Sequence, residues 1–140
     1  MDYDPKAVVM TFCGVPVTGY AKGSFIKVEP AEDSFKKYVG ADGETSRTRV
    51  ADETVNVTLN LSQTSPSNAV LSAQHKLDRK SGTGKGPLMI KDLKGTTLVY
   101  AKNAWIRKMA TADFGDEINA KEWAFDTGKA EYVNGGNEVV

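Results

Sequence analysis

Few residues in this chain have the type and spacing to do chemistry. Lys80-Ser81-Gly82-Thr83-Gly84-Lys85-Gly86 has the glycines and lysines that cradle phosphate. A phosphate loop, however, needs a further glycine ahead of Gly84 and a Ser/Thr where Gly86 stands, to hold magnesium. Neither is present, so the stretch reads as a flexible turn. His75 is the only histidine, set between Gln74 and Lys76 with no nucleophile marked for it. Cys13 is the only cysteine. It lies within or beside an apolar strand, where a small buried thiol is the default. One His and one Cys make no recognisable zinc site. Asp2-Tyr3-Asp4 lacks the glycine and terminal Glu of a calcium loop. No carboxylate pair stands out for glycoside chemistry. The expectation is a protein that is not an enzyme and takes no cofactor and no metal.

The elements that would position such residues read as mainly β. Short apolar stretches recur between Gly, Pro and Asn/Asp punctuation. Val8 to Phe12 and Val15 to Tyr20 flank Cys13-Gly14, a tight first hairpin. Phe25 to Glu29 follows the turn at Lys22-Gly23. The clearest strand is Thr54 to Ser62, where Val55, Val57, Leu59 and Leu61 alternate with Asn56, Thr58, Asn60 and Ser62. Further strands are expected at Leu88 to Lys91, Thr96 to Ala101, Ala104 to Met109, Lys121 to Asp126 and Lys129 to Val133.

One helix is expected over about residues 66–80. Ser65 is its N-cap and Pro66 occupies the first helical position. Val70, Ala73 and Leu77 form its apolar stripe, with Leu71 beside them. Lys76, Arg79 and Lys80 complement the C-terminal dipole, and Gly82 ends the helix. The architecture these elements support is a β-sandwich or barrel with one flanking helix.

The 140 residues suit a single domain, 1–140. Lys+Arg and Asp+Glu are equal at 18 each. The basic excess of a free-standing nucleic-acid binder is therefore missing, and so is the self-repulsion that discourages association. With one cysteine no intrachain disulfide can form, which fits a reducing compartment. The start is acidic where a signal peptide would be basic, and Ala7 to Met10 is too short for a membrane span. Synthesis in the cytosol and no stable membrane association are expected.

Two regions stand apart. Between Pro30 and Glu53 runs a long charged connection with Asp33, Phe35, Lys37, Tyr38, Asp42, Glu44, Arg47 and Arg49. Gly40-Ala41-Asp42-Gly43 reads as its turn, with Phe35 to Val39 and Thr45 to Val50 as arms. It is either an arm reaching a neighbour, over 32–52, or a surface hairpin packed on its own domain. The second region is defined by what it lacks: from Thr54 to Gln74 there is no charged residue, in a chain that is 26% charged. Asn56, Thr58, Asn60 and Ser62 thus make a neutral polar face, suited to a subunit seam or to a surface that a polyanion slides past. The bland alternative is a solvent face that happens to lack charge. The tail, 134–140, is expected to be flexible in isolation.

Read together, several stretches carry a resemblance. They are Gly14-Val15-Pro16-Val17-Thr18-Gly19-Tyr20-Ala21, Phe25-Ile26-Lys27-Val28-Glu29, Asp33-Ser34-Phe35, Val39-Gly40-Ala41-Asp42-Gly43-Glu44 and Gln63 to Ser72. Pro87 to Asp92, Gly95-Thr96-Thr97-Leu98, Ala104-Trp105-Ile106 and Glu122-Trp123-Ala124-Phe125 complete them. In their order and spacing the sequence resembles the tail-tube proteins of contractile-tailed bacteriophages, which are related in fold to the type VI secretion tube protein. The resemblance implies a structural subunit that partners itself in hexameric rings stacked into a tube. Sheath, baseplate or tube initiator, tape-measure and tail-terminator proteins are the implied partners. DNA would pass through the lumen without specific binding, and the protein would reside in the virion tail. It also implies that the connection from Glu32 to Asp52 is the assembly arm. Three alternatives stay open: a bacteriocin-like or type VI injection device, a monomeric β-barrel binding module, and a small hydrolase. Trp105 and Trp123 read as core or interface residues.

Overall fold

A computed structural model describes residues 2–137. After a 3-10 turn at Pro5–Ala7 the strands are β1 (Val8–Phe12), β2 (Val15–Pro16), β3 (Ile26–Pro30), β4 (Phe35–Val39), β5 (Thr45–Arg49) and β6 (Thr54–Ser62). The helix α1 (Ser67–Ser81) precedes β7 (Gly86–Asp92), β8 (Leu98–Lys108) and β9 (Ala120–Val133). Seven strands form one sheet in the order β2-β1-β7-β8-β9-β6-β3, and β4 and β5 form a separate two-stranded ribbon.

The inward residues of the large sheet alternate as the pleat requires. Val55, Val57, Leu59 and Leu61 of β6 are at most 3% exposed, and Trp123 and Phe125 of β9 at most 1%. Met10, Phe12, Leu88, Val99 and Ile106 join the same core. The sheet curls onto itself. Phe12 and Phe125, on strands that are not neighbours, meet edge to face with ring centroids 5.1 Å apart. Of the two architectures expected, the sandwich is the one present: β2 and β3 remain the sheet edges, and no barrel closes.

The segment expected to extend the first hairpin does something else. Cys13 (φ 53°) and Gly14 (φ 80°) make the two-residue loop, both in the left-handed region that such turns demand. Only Val15–Pro16 then pairs with β1. Beyond Val17, whose N–H donates to Met10 O, the chain crosses to the C-terminal end of β6, the strand next to the opposite edge. There Gly19 O accepts from Ser62 N–H and Ala21 N–H donates to Asn60 O. Gly19 has φ 75°, and a Cβ on it would lie 2.6 Å from Ser65 Cβ, so only glycine fits this crossing.

Two expected strand pairs are single strands. Thr127-Gly128 reads as a turn in the sequence but is an irregularity inside β9, at the point where its register against β6 shifts. The Val55 N–H has no ladder partner there, and the buried Thr127 hydroxyl accepts it at 3.1 Å. Likewise Lys102-Asn103 lies within β8, opposite the register shift in β7. At the chain end, Gly135 N–H donates to Thr97 Oγ1, and the Asn137 side chain donates to Asp92 Oδ2. Of the expected tail, residues 138–140 lie outside the described residues.

The helix follows its signals at both ends. Ser65 Oγ accepts from Ser67 N–H at 3.2 Å, the capping bond, although regular helical bonding starts at Ser67. Gly82, at φ 71° and ψ 15°, ends it by donating its N–H to Asp78 O. The packing face differs from expectation. Ser67 and Leu71 are buried, while Val70 and Leu77 are 43% and 46% exposed and Ala73 is exposed with them. The expected Val70–Ala73–Leu77 stripe therefore faces away from the sheet. The reason is polar: Asn68 sits on the inward side, where its Oδ1 accepts from the buried Trp123 Nε1 at 2.9 Å. An indole N–H left unpaired in this core would cost more than an exposed valine.

Candidate functional site

The glycines and the cysteine that invited a catalytic reading are accounted for by packing. Gly84 lies against α1, where a Cβ would fall 2.4 Å from Asp78 Cβ. The Gln74 side chain donates to Gly84 O and Gly84 N–H donates to Asp78 Oδ1. Gly86 lies beside Cys13, whose Sγ would be 2.6 Å from an added Cβ. Each glycine in Lys80–Gly86 thus has a steric or capping reason, and the turn is pinned to the helix where a flexible one was expected. The Cys13 thiol is pushed up by burial, and further by the nearby Asp78 carboxylate, which leaves it a poor nucleophile. His75 is half-buried, and no hydrogen bond joins it to Cys13 among the described residues. No group of three or more His, Cys, Asp or Glu is placed to hold a metal among the described residues.

Two surfaces are left to carry function. The first is the outer face of β6. Asn56 is exposed and Thr58, Asn60 and Ser62 are half-buried, opposite the core side of the same strand. On either side the flanking strands supply the charge that β6 lacks. On β3, Glu29 pairs in register with Asn56 and Lys27 with Thr58, and Lys27 and Glu29 form an ion pair at 3.0 Å. On β9, Asp126, Ala124, Glu122 and Ala120 oppose Asn56, Thr58, Asn60 and Ser62. Asp126 is bridged by Arg107 at 3.3 Å. Beside the neutral stripe the one cation on β3 is neutralised, and Glu122 has no ion-pair partner among the described residues. The stripe itself is uncharged, while one strand further out Lys108 of β8, in register with Ala124, is exposed and in no ion pair among the described residues.

The second surface is the β4–β5 ribbon. Its ten strand positions are all exposed. The register sets Phe35 opposite Arg49, Lys37 opposite Arg47 and Val39 opposite Thr45, so these six share one face. Lys36, Tyr38, Ser46 and Thr48 share the other. Arg47 lies 4.1 Å over the Phe35 ring, a cation–π contact that partly orders the aromatic face. Asp42 and Glu44 sit in the turn, where Asp42 Oδ1 accepts from Glu44 N–H. Asp33 is at the root and exposed. The structure thus brings the arm residues onto one ribbon, and it places the β6 stripe on a different part of the molecule. Two features were missed in the sequence: the loop 109–119, with Phe114 75% and Ile118 69% exposed, and the exposed stripe of α1. For the first, the run of acids without bases among apolar residues was the available signal.

Among the described residues no helix is long and apolar enough to cross a membrane. In sequence, the chain is 33% identical over 126 residues to structural protein ORF10 of Pseudomonas phage KPP10, covering 89% of this chain and 73% of that one. In structure, it is similar to the anti-feeding prophage tube-terminating cap (TM-score 0.64, 12% identity, covering 95% and 93% of the two chains). It is also similar to the PVC sheath/tube terminator of an extracellular contractile injection system (TM-score 0.66, 11% identity, 96% and 98% covered). At such identities these two likenesses speak for the fold alone. The model of the bacteriophage PhiTE tail tube protein matches residues 10–135, nearly the whole curled sheet, and the chain belongs to that family of phage tail-tube structural proteins.

Proposed function

We propose that the chain is the repeating subunit of a phage tail tube, closing into hexameric rings that stack inside a contractile sheath and conduct DNA into the host. The observation that carries this reading is the β4–β5 ribbon of a tail-tube family member: a hairpin with every strand position exposed, which two strands alone stabilise only marginally. A neighbouring subunit is what such an arm lacks. In the same reading Asn56, Thr58, Asn60 and Ser62 line the lumen or the ring seam, because a conduit for DNA works best without free cations along it. Sheath, baseplate or tube initiator, tape-measure and terminator proteins are the proposed partners, and the virion tail is the site of action.

Electron microscopy of the purified chain at high concentration tests this. Sixfold rings or tubes are the expected result, and a monomer insensitive to dilution overturns it. A second reading draws on the fold shared with a tube-terminating cap and a sheath/tube terminator, in which the chain forms one terminal ring. Counting copies per particle by quantitative mass spectrometry separates the two, since a repeating subunit greatly outnumbers a terminal ring. A third reading, an injection device that moves no DNA, predicts particles without a capsid.

A further inference from the structure

The net charge of zero conceals a local sorting of charge: in the β4–β5 arm the acids Asp33, Asp42 and Glu44 sit in the root and turn, and the strands carry only bases. The strands of the β4–β5 ribbon carry Lys36, Lys37, Arg47 and Arg49 and no acid. None of these cations is in an ion pair among the described residues. Lys37 and Arg47 stand directly opposite each other, an arrangement that costs stability in a two-stranded ribbon unless an external acid relieves it. Phe35, Val39 and Tyr38 are 43%, 55% and 67% exposed beside them.

The counterpart lies at the other end. The loop between β8 and β9 carries Asp113, Asp116 and Glu117 and no base, and residues 111–118 are all exposed. Its apolar residues Phe114 and Ile118 are the most exposed large hydrophobics of the described chain. None of the three acids is in an ion pair among the described residues. The loop is nevertheless anchored at its base: Asn119 N–H donates to Gln63 Oε1, and Gln63 N–H donates to Asn119 O. Lys121 covers one side of the Phe114 ring. A held acidic loop presenting two apolar side chains matches a basic ribbon presenting aromatics.

The two features leave from opposite ends of β6. The ribbon springs from the Pro30–Val55 level, and the loop enters β9 at the Ser62–Ala120 level. Seven residues of strand separate these levels, roughly 23 Å at about 3.3 Å per residue. Complementary, non-identical surfaces at opposite ends join copies head to tail, which closes into rings or continues as a stack and does not stop at a two-fold dimer.

We infer that the β4–β5 ribbon of one subunit docks on the acidic 109–119 loop of a second copy, with Lys37, Arg47 and Arg49 facing Asp113, Asp116 and Glu117, and Phe35 facing Phe114 and Ile118. This rests on the tube reading and names the surface that receives the arm. The test uses two charge-reversed full-length chains, K37E/R47E/R49E and D113K/D116K/E117K. Both sets of positions lie outside the core, so thermal unfolding checks that each variant remains folded. Each variant alone self-associates at least about tenfold more weakly by sedimentation, as loss of facing charge pairs requires. An equimolar mixture of the two, or one chain carrying both sets, recovers association to within about threefold, because the swapped charges are again complementary. In a Cys13→Ser background, tagged Val39→Cys and untagged Ile118→Cys chains, Val39 lying on the same ribbon face as Phe35, form a mixed disulfide faster than either forms with itself.

Reversal variants that associate like the native chain, no recovery in the mixture, or no preference for the mixed disulfide each overturn the docking. In those cases the tube reading stands as long as the native chain forms rings. A native chain that never self-associates, at any concentration or salt, removes both.

Discussion

β6 and the β4–β5 ribbon obey the same local rule and meet opposite fates. Each alternates its side chains between two faces. One face of β6 is sealed in the core, with Leu59 and Leu61 wholly buried. Neither face of the ribbon is covered, and its apolar residues are shared between cations. Strand geometry alone therefore does not hold a strand in place; area removed from water does. β6 is stable because this subunit provides that area, and the ribbon finds no such cover among the described residues. Under the proposed docking, stability belongs to one region and assembly to the other.

The comparison breaks most sharply by mutation on each side. Phe125→Ala, which empties a site packed against Phe12, is expected to cost about 3–5 kcal/mol in denaturant unfolding. Replacing residues 35–49 with a short Gly-rich link is expected to shift body stability by no more than about 0.5 kcal/mol while abolishing rings in the microscope. Equal losses of stability from the two changes would refute the division.

Smaller changes sharpen it within the body. Thr127→Val leaves the buried Val55 N–H without its acceptor and should lower stability by about 1–3 kcal/mol, read from the urea midpoint. Gly82→Ala places a Cβ in a left-handed helix cap and should cost about 1 kcal/mol in the same measurement.

The smallest effect sits where ribbon and body join. The Asp52 carboxyl is held below its ordinary value, chiefly by the Thr54 hydroxyl and then by the Thr54 N–H. A carboxylate whose folded pKa is depressed adds stability above its unfolded value and loses it as pH falls through the folded one. Thr54→Val should therefore bring the Asp52 titration, followed by carboxyl carbon NMR, back up toward the usual carboxylate range. No movement would mean that the hydroxyl is not its partner. Because Asp52 is fully exposed, global stability at neutral pH should barely change.

Much of this was legible one residue at a time. The alternation of β6, the Cys13-Gly14 turn, the hairpin at Gly40–Gly43 and the Ser65 and Gly82 helix ends all follow from local sterics and short-range hydrogen bonds. The errors were also local. Thr127-Gly128 looks like a turn because glycine and a polar residue usually end a strand; here a hydroxyl 72 residues away in sequence from the amide it accepts keeps the strand going. Val70, Ala73 and Leu77 look like a core stripe because their period is helical, and the side-chain period does not say which side Asn68 must turn toward Trp123.

Residue types and their order by themselves determined the mainly β character, the single helix, the uncharged stripe and the charged hairpin, since each depends on neighbours within a few positions. Only the tertiary structure decided that the sheet curls without closing, that the Val70 face is left outward, and that the basic ribbon and the acidic loop stand at opposite ends of β6. Those outcomes depend on which strands pair across long separations, and strand pairing is settled by burying one shared core.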